Sequence, residues 1–215
     1  MLNQSNILRR TGCLLIISLV LITISYLYID RYVAWFFYNH HSHQWPFLPI
    51  IANDIVATLV YAVVIFYIYY AIRWVYSQLQ TWENKGLLIA NAIAISIFIK
   101  NLLKYIFSRY WPATYKCHNL SLIHNHAYGF RWFDTHFSSF PSGHATLMWA
   151  FAISMCCFYP SFKWLWLAIA IIVCLAQIAL YYHFVSDIIA GATLGSLVAL
   201  FCSNHYRIGS SHSLV

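Results

Sequence analysis

Charge is what this chain has least of. Of its 215 residues, 8% are Asp, Glu, Lys or Arg, where a soluble domain carries about 25%. Such poverty excludes an ordinary soluble globular protein and reads as a membrane protein. Five residues are acidic, and nothing among them resembles a two-metal carboxylate cluster. A Gly-rich phosphate loop and a nucleophilic-serine elbow are missing too. The six cysteines are Cys13, Cys117, Cys156, Cys157, Cys174 and Cys202. They show neither a disulfide framework nor zinc spacing. Five lie in or beside apolar runs and read as buried apolar residues; Cys117 lies in a polar loop. The net charge of +7 calls for a negatively charged partner. Lipid headgroups or phosphates suit so apolar a chain, and nucleic acid does not.

What is present is apolar: 62% hydrophobic and 19% aromatic residues. Uncharged stretches long enough to cross a bilayer recur along the chain. They predict spans at residues 11–29, 55–72, 86–107, 145–162, 164–182 and 184–204. In the third span Lys100 and Lys104 interrupt the last turns, where long side chains can reach the interface. The first run is longer than a signal-peptide core and lacks a small-residue cleavage pattern after it, so it reads as a retained helix. The expected fold class is all-α: a polytopic membrane protein, a six-transmembrane-helix bundle in one domain over residues 1–215. The twelve Lys and Arg residues divide six to each side of such a bundle. Arg9 and Arg10, ahead of the first span, decide for an inside N-terminus.

Between the first two spans, residues 30–53 are rich in aromatic rings and read as a segment lying at the membrane interface. Its His40, His41 and His43 lack a nearby carboxylate or cysteine pattern and read as a solvated loop rather than a metal site. The longest connection, residues 108–144, is the one expected to carry function. Gly191 and Gly195, four apart in the last span, allow close helix packing.

Three polar places reach one membrane face if helix direction alternates. The first is Lys104 to Pro112. The second is the Pro141–His144 turn, within the stretch Ser139 to Thr146, where Ser142 is a candidate helix N-cap, Gly143 permits close approach, and His144 falls in the first turn. Free amides at such a helix start form an anion site, and a histidine beside it can protonate a leaving oxygen. An ordinary capped helix entry fits those residues equally well. The third is His183 to Asp187. Four residues apart on a helix, a histidine and a carboxylate share a face. The carboxylate can fix the tautomer and free the other ring nitrogen for attack. A structural pair, with Asp187 capping the last helix, is the alternative.

Lys104 with Pro112, then Pro141-Ser142-Gly143-His144, then His183 with Asp187 and Gly191, on six spans, resembles the type 2 phosphatidic acid phosphatase superfamily over residues 86–200. That resemblance implies an integral-membrane lipid phosphatase that needs no metal or other cofactor. It implies His183 as nucleophile forming a phosphohistidine, Asp187 orienting it, and His144 as proton donor to the leaving oxygen. Lys104, Ser142 and the amides around Gly143 would hold the phosphate. Two arginines of the family pattern are absent, their positions being Trp111 and Gln177. Arg109 and Arg131 are the candidate substitutes, and Gln177 could donate without charge. Lys116 reads as attracted to lipid headgroups. On a continuing helix Arg109 would point about 140° away from Lys104, so it converges only if the helix unwinds near Ser108. The expected function is hydrolysis of a phosphomonoester or pyrophosphate on a membrane lipid, the site facing the periplasm from a bacterial inner membrane. A lipid phosphotransferase and a non-catalytic anionic-lipid binder are the alternatives.

Overall fold

A computed structural model describes residues 4–114 and 119–212. The predicted attraction of Lys116 to headgroups, and the loop position of Cys117, lie outside the described residues. Helices carry most of the described residues outside the connection 108–142, as a chain in hydrocarbon requires, because each backbone N–H and C=O must find its partner within the segment. Helix α1, Gln4–Ile24, passes through a π-helical turn, Ser25–Ile29, into α2, Asp30–Asn39. Helix α3, Ile55–Tyr76, is entered through a second π-helical turn, Ile50–Asp54. Then come α4 (Thr81–Phe107), α5 (Gly143–Phe158), α6 (Lys163–Ala179) and α7 (Val185–His212).

Among the described residues, five helical runs are long and apolar enough to cross a membrane: Thr11–Asn39, Phe47–Tyr76, Thr81–Phe107, Pro160–Ala179 and Val185–Asn204. The remaining expected crossing, α5, has 16 residues, about 24 Å at 1.5 Å per residue. It is shorter than the hydrocarbon core of about 30 Å, and its first residues, Gly143 to Met148, are buried or half-buried in the protein.

Residues 30–53 depart from the expected interfacial segment. Residues 30–39 prolong the first helix and residues 47–54 open the next, so the turn is confined to the stretch around His41, whose φ is +49°. The helix runs on through Asp30 because that carboxylate is bonded inward and buried. His40, His41 and His43 are all exposed, and the His43 ring bonds the Tyr181 hydroxyl at 2.5 Å. The cysteines also depart in part: Cys174 and Cys202 are buried, Cys156 and Cys157 half-buried, and Cys13 exposed.

Helix α5 is the hub, packed on α4, α6 and α7, while α7 also touches α1 and α4. Ile93, Leu147, Met148 and Val173 lie at the centre of this packing. Helices α5 and α7 meet backbone to backbone. A Cβ on Gly191 would lie 2.4 Å from the Ser142 carbonyl oxygen, and one on Gly195 would lie 2.2 Å from that of Thr146. The two glycines thus pack within the chain. Large apolar side chains on α1 and α3, such as Ile16 and Ile65, face outward, as lipid-facing positions do.

Candidate active site

Helix α4 ends where Ser108 adopts the left-handed conformation, φ +44°. Its hydroxyl donates to the Tyr105 carbonyl at 2.7 Å and accepts from the Asp134 amide at 2.8 Å, which offsets the strain of that conformation. The helix therefore unwinds where the sequence required it to, and Arg109 turns into the protein. It is not among the residues lining the cavity that His144 and His183 share. Its side chain is fully buried between two carboxylates, with Nη1 2.5 Å from Asp187 and Nη2 2.7 Å from Asp30. Nη1 also donates to Ser186 Oγ at 2.6 Å. Burial opposes the guanidinium charge, yet Asp187 and Asp30 hold its pKa above the ordinary arginine value. Arg109 as a phosphate ligand is thus corrected: the two buried carboxylates draw the cation away.

The second polar place has the geometry its sequence predicts. Ser142 is the N-cap of α5, and its hydroxyl accepts from the Ala145 amide at 3.4 Å. Its own amide donates to the Asp187 carbonyl at 3.0 Å, which ties this turn to the start of α7. The amides of Gly143 and His144, in the first turn, have no carbonyl one turn earlier within the helix. The chain enters this turn through a cis Phe140–Pro141 peptide.

His183 stands between α6 and α7. Its Nδ1 lies 3.6 Å from Asp187 Oδ2 and 3.4 Å from Ser139 Oγ. Ser139 donates to the same carboxylate oxygen at 2.6 Å, and the Phe184 amide donates to it at 3.0 Å. Asp187 therefore braces its helix start and backs the histidine together. With Nδ1 turned to this group, Nε2 is the nitrogen left for chemistry. Burial pushes the His183 imidazole below the ordinary histidine range, against the opposing pull of Asp187.

His144 and His183 line one cavity of about 340 Å³, with Trp111, Ser138, Gln177 and Tyr182. Trp111 leans on the His183 ring, centroids 5.1 Å apart, and Lys104 Nζ lies 5.3 Å from the centre of the indole. Lys104 donates to the Ser138 carbonyl. Gln177 is fully buried; its Nε2 donates to the Ala52 carbonyl at 2.9 Å, and its Oε1 has no partner among the described residues. Arg131 does not join this group. It is half exposed, 3.3 Å from the Tyr110 hydroxyl and 4.0 Å from Asp134, because the loop carries it along the rim of the protein.

Sequence reasoning missed three residues. Asp30 looked like the end of a span, and Ser139 was given no role. Lys100 was read only as an interruption, yet a Cβ on Gly143 would lie 3.1 Å from its Cδ and 3.6 Å from its Nζ. Its signal was available: it precedes Lys104 by four residues and so shares its helix face. Two lysines and a helix start, set beside two histidines, can bind and transfer an anionic group.

An all-helical, membrane-embedded chain with two facing histidines defines a class, and comparison with known proteins narrows it. The PAP2 superfamily pattern matches residues 85–208, and the chain belongs to that superfamily. It is 30% identical over 126 residues to a lipid A 1-phosphatase of Rhizobium etli, covering 56% of this chain and 50% of that one. Over 64 residues it is 39% identical to the bacitracin transport permease protein BcrC of Bacillus licheniformis, covering 30% and 32%. The chain spans about half or less of the length of these relatives. A transmembrane PAP2-type phosphatidylglycerolphosphate phosphatase structure from Bacillus subtilis superposes with a TM-score of 0.59 at 19% identity, covering 92% of this chain and 96% of that one. The fold is shared across the whole bundle.

Proposed function

We propose that this protein hydrolyses a phosphomonoester or pyrophosphate on a membrane lipid through a phosphohistidine, without a metal. The observation that carries the reading is the shared cavity of His144 and His183, with Asp187 behind the latter. The lone pair of His183 Nε2 forms a bond to phosphorus as the bond from phosphorus to the lipid oxygen breaks. His144 gives its proton to that leaving oxygen. Water then attacks phosphorus, its proton passes to His144, and the P–N bond breaks. Lys104, Lys100, Ser142 and the amides of Gly143 and His144 stabilise charge on the equatorial oxygens. Trp111 walls the cavity where the family pattern has a cation. Relatives named for lipid A and phosphatidylglycerolphosphate support a lipid head as the phosphate carrier. Arg9 and Arg10, just ahead of the first membrane-crossing run Thr11–Asn39, support a site on the outer, periplasmic face, and the bacterial sources of the relatives support the inner membrane.

The test is phosphate release by the detergent-purified protein with EDTA present. The panel is phosphatidic acid, phosphatidylglycerol phosphate, an isoprenoid pyrophosphate and lipid A. Release is expected to persist in EDTA and to fall by at least about a hundredfold in His183→Ala and in His144→Ala. Release lost to EDTA, or retained in His183→Ala, would overturn the proposal.

A further inference from the structure

Asp30 is a carboxylate in a membrane-crossing helix, 1% exposed. Such a group is costly there and survives where it serves a partner. The π-helical turn Ser25–Ile29 directly before it changes the helical phase by one residue. Asp30 Oδ1 accepts from the Ser186 amide at 3.0 Å. Its Oδ2 accepts from Ser186 Oγ at 2.5 Å, Arg109 Nη2 at 2.7 Å and the Tyr128 hydroxyl at 3.3 Å. Arg109 spends its other terminal nitrogen on Asp187. One cation thus divides itself between two carboxylates, and the cluster keeps one net negative charge.

We infer that Asp30 is a positioning residue for the reaction, acting through Arg109 to leave Asp187 charged and turned toward His183. Without the Asp30 charge, both terminal nitrogens of Arg109 are free to clamp Asp187 in a fork, and its charge is cancelled where His183 needs it. The need arises during transfer. When Nε2 bonds to phosphorus with a proton still on Nδ1, the ring becomes cationic, and Asp187 is the anion behind it. The other groups around His183 cannot replace it. Ser139 is neutral, and the nearby Lys104 opposes a positive charge on the ring. The charged and polar groups around Asp30 itself are Arg109, Asp187, Ser186 and Tyr128. The effect therefore falls on turnover and on the histidine titration, not on substrate affinity. This inference rests on the phosphohistidine reading above.

The experiment uses the full chain in detergent and whichever of the four panel lipids the wild type cleaves fastest. Asp30→Asn keeps the shape and removes the charge. It is expected to lower kcat by roughly ten- to a hundredfold with KM within about twofold, and to move the acid limb of kcat/KM to lower pH. The double variant Asp30→Asn/Arg109→Gln restores one net negative charge on Asp187 and is expected to recover at least about tenfold of the lost kcat. A purely structural tie between α2 and α7 predicts the reverse, a double variant worse than the single, and that result overturns the inference. So does an Asp30→Asn protein with wild-type kcat and pH profile. If Asp30→Asn does not fold, the double variant decides alone: kcat within about tenfold of wild type upholds the inference, and a folded but inactive protein overturns it. A wild type with no His183-dependent release overturns the phosphohistidine reading, and this inference with it.

Discussion

Two arginine–carboxylate clusters sit on different connections of the bundle, and their stoichiometry differs. Between α3 and α4, Arg73 Nε meets Glu83 Oε1 at 2.8 Å. That carboxylate also accepts from the Gln80 amide at 2.6 Å and the Tyr69 hydroxyl at 2.7 Å. One cation meets one carboxylate across ten residues, and Arg73 keeps about a third of its side chain exposed (32%). At the site, Arg109 reaches a carboxylate 79 residues upstream and another 78 downstream, with all three side chains closed off from the surface. A local one-to-one pair closes a helical hairpin. A long-range one-to-two cluster gathers the first helix, the functional loop and the last helix around one histidine, and leaves a charge over.

The sharpest way to break this contrast is to remove each arginine. Arg109→Met leaves two buried carboxylates facing each other and is expected to cost about 3–5 kcal/mol. Thermal unfolding in detergent reads this as a large fall in midpoint, with turnover lost. Arg73→Met is expected to lower the midpoint slightly and keep turnover within about twofold. Equal effects of the two would erase the distinction drawn here.

A smaller effect is expected from the glycines that hold the site helices together. Gly195→Ala puts a methyl 2.2 Å from one backbone oxygen and 2.7 Å from the Ala150 nitrogen. It is expected to cost about 1–3 kcal/mol and to reduce turnover by separating α5 from α7. Gly12→Ala, with nothing within 4 Å, is expected to change neither. Thermal midpoint and kcat, measured together, check both.

The smallest effect is a pH shift. Burial lowers the folded-state pKa of His183, so between that value and the unfolded value of about 6.5 the unfolded chain holds a proton that the folded chain does not. The stability this contributes is present above about pH 6.5 and is lost as pH falls through the folded value. The nucleophile stays neutral over the same interval, so the acid limb of kcat/KM is expected below the ordinary histidine range. Asp187→Asn removes the group that raises the pKa and is expected to move the limb lower still. A profile of kcat/KM between pH 4 and 8 checks both directions.

How legible the site was depended on sequence distance. The Ser142 cap and the close packing of Gly191 and Gly195 are short-range patterns with fixed helical geometry, and both can be read from the chain; His183 stands just outside the helix that carries Asp187, and its Nδ1 still comes to 3.6 Å from that carboxylate. The helical bundle followed from uncharged runs of the right length. The fate of Arg109 could not be read that way. Its unwinding at Ser108 was foreseeable, but its competing partner is Asp30, which nothing local connects to it. A cation near a phosphate site looks like a phosphate ligand until the structure shows two carboxylates closer. The continuation of the first helix past Ile29 was hidden for the same reason, since an aspartate ends an apolar run in sequence but not a helix that buries it. Arg131 was misjudged because a loop 30 or more residues long carries no periodicity to say which way it faces.

The contact of α5 with α7 has a mechanical consequence. His144 rides at the head of one helix and His183 precedes the other, and those helices touch through main chain, with no flexible side chains between them at Gly191 and Gly195. The gap between the two histidines works like a fixed caliper. Helices in a bilayer tilt to match its thickness, and a seam of main chain against main chain gives α5 and α7 little room to do so independently of each other. The spacing of the two histidines is therefore set by that seam, as the jaws of a caliper are set by its frame.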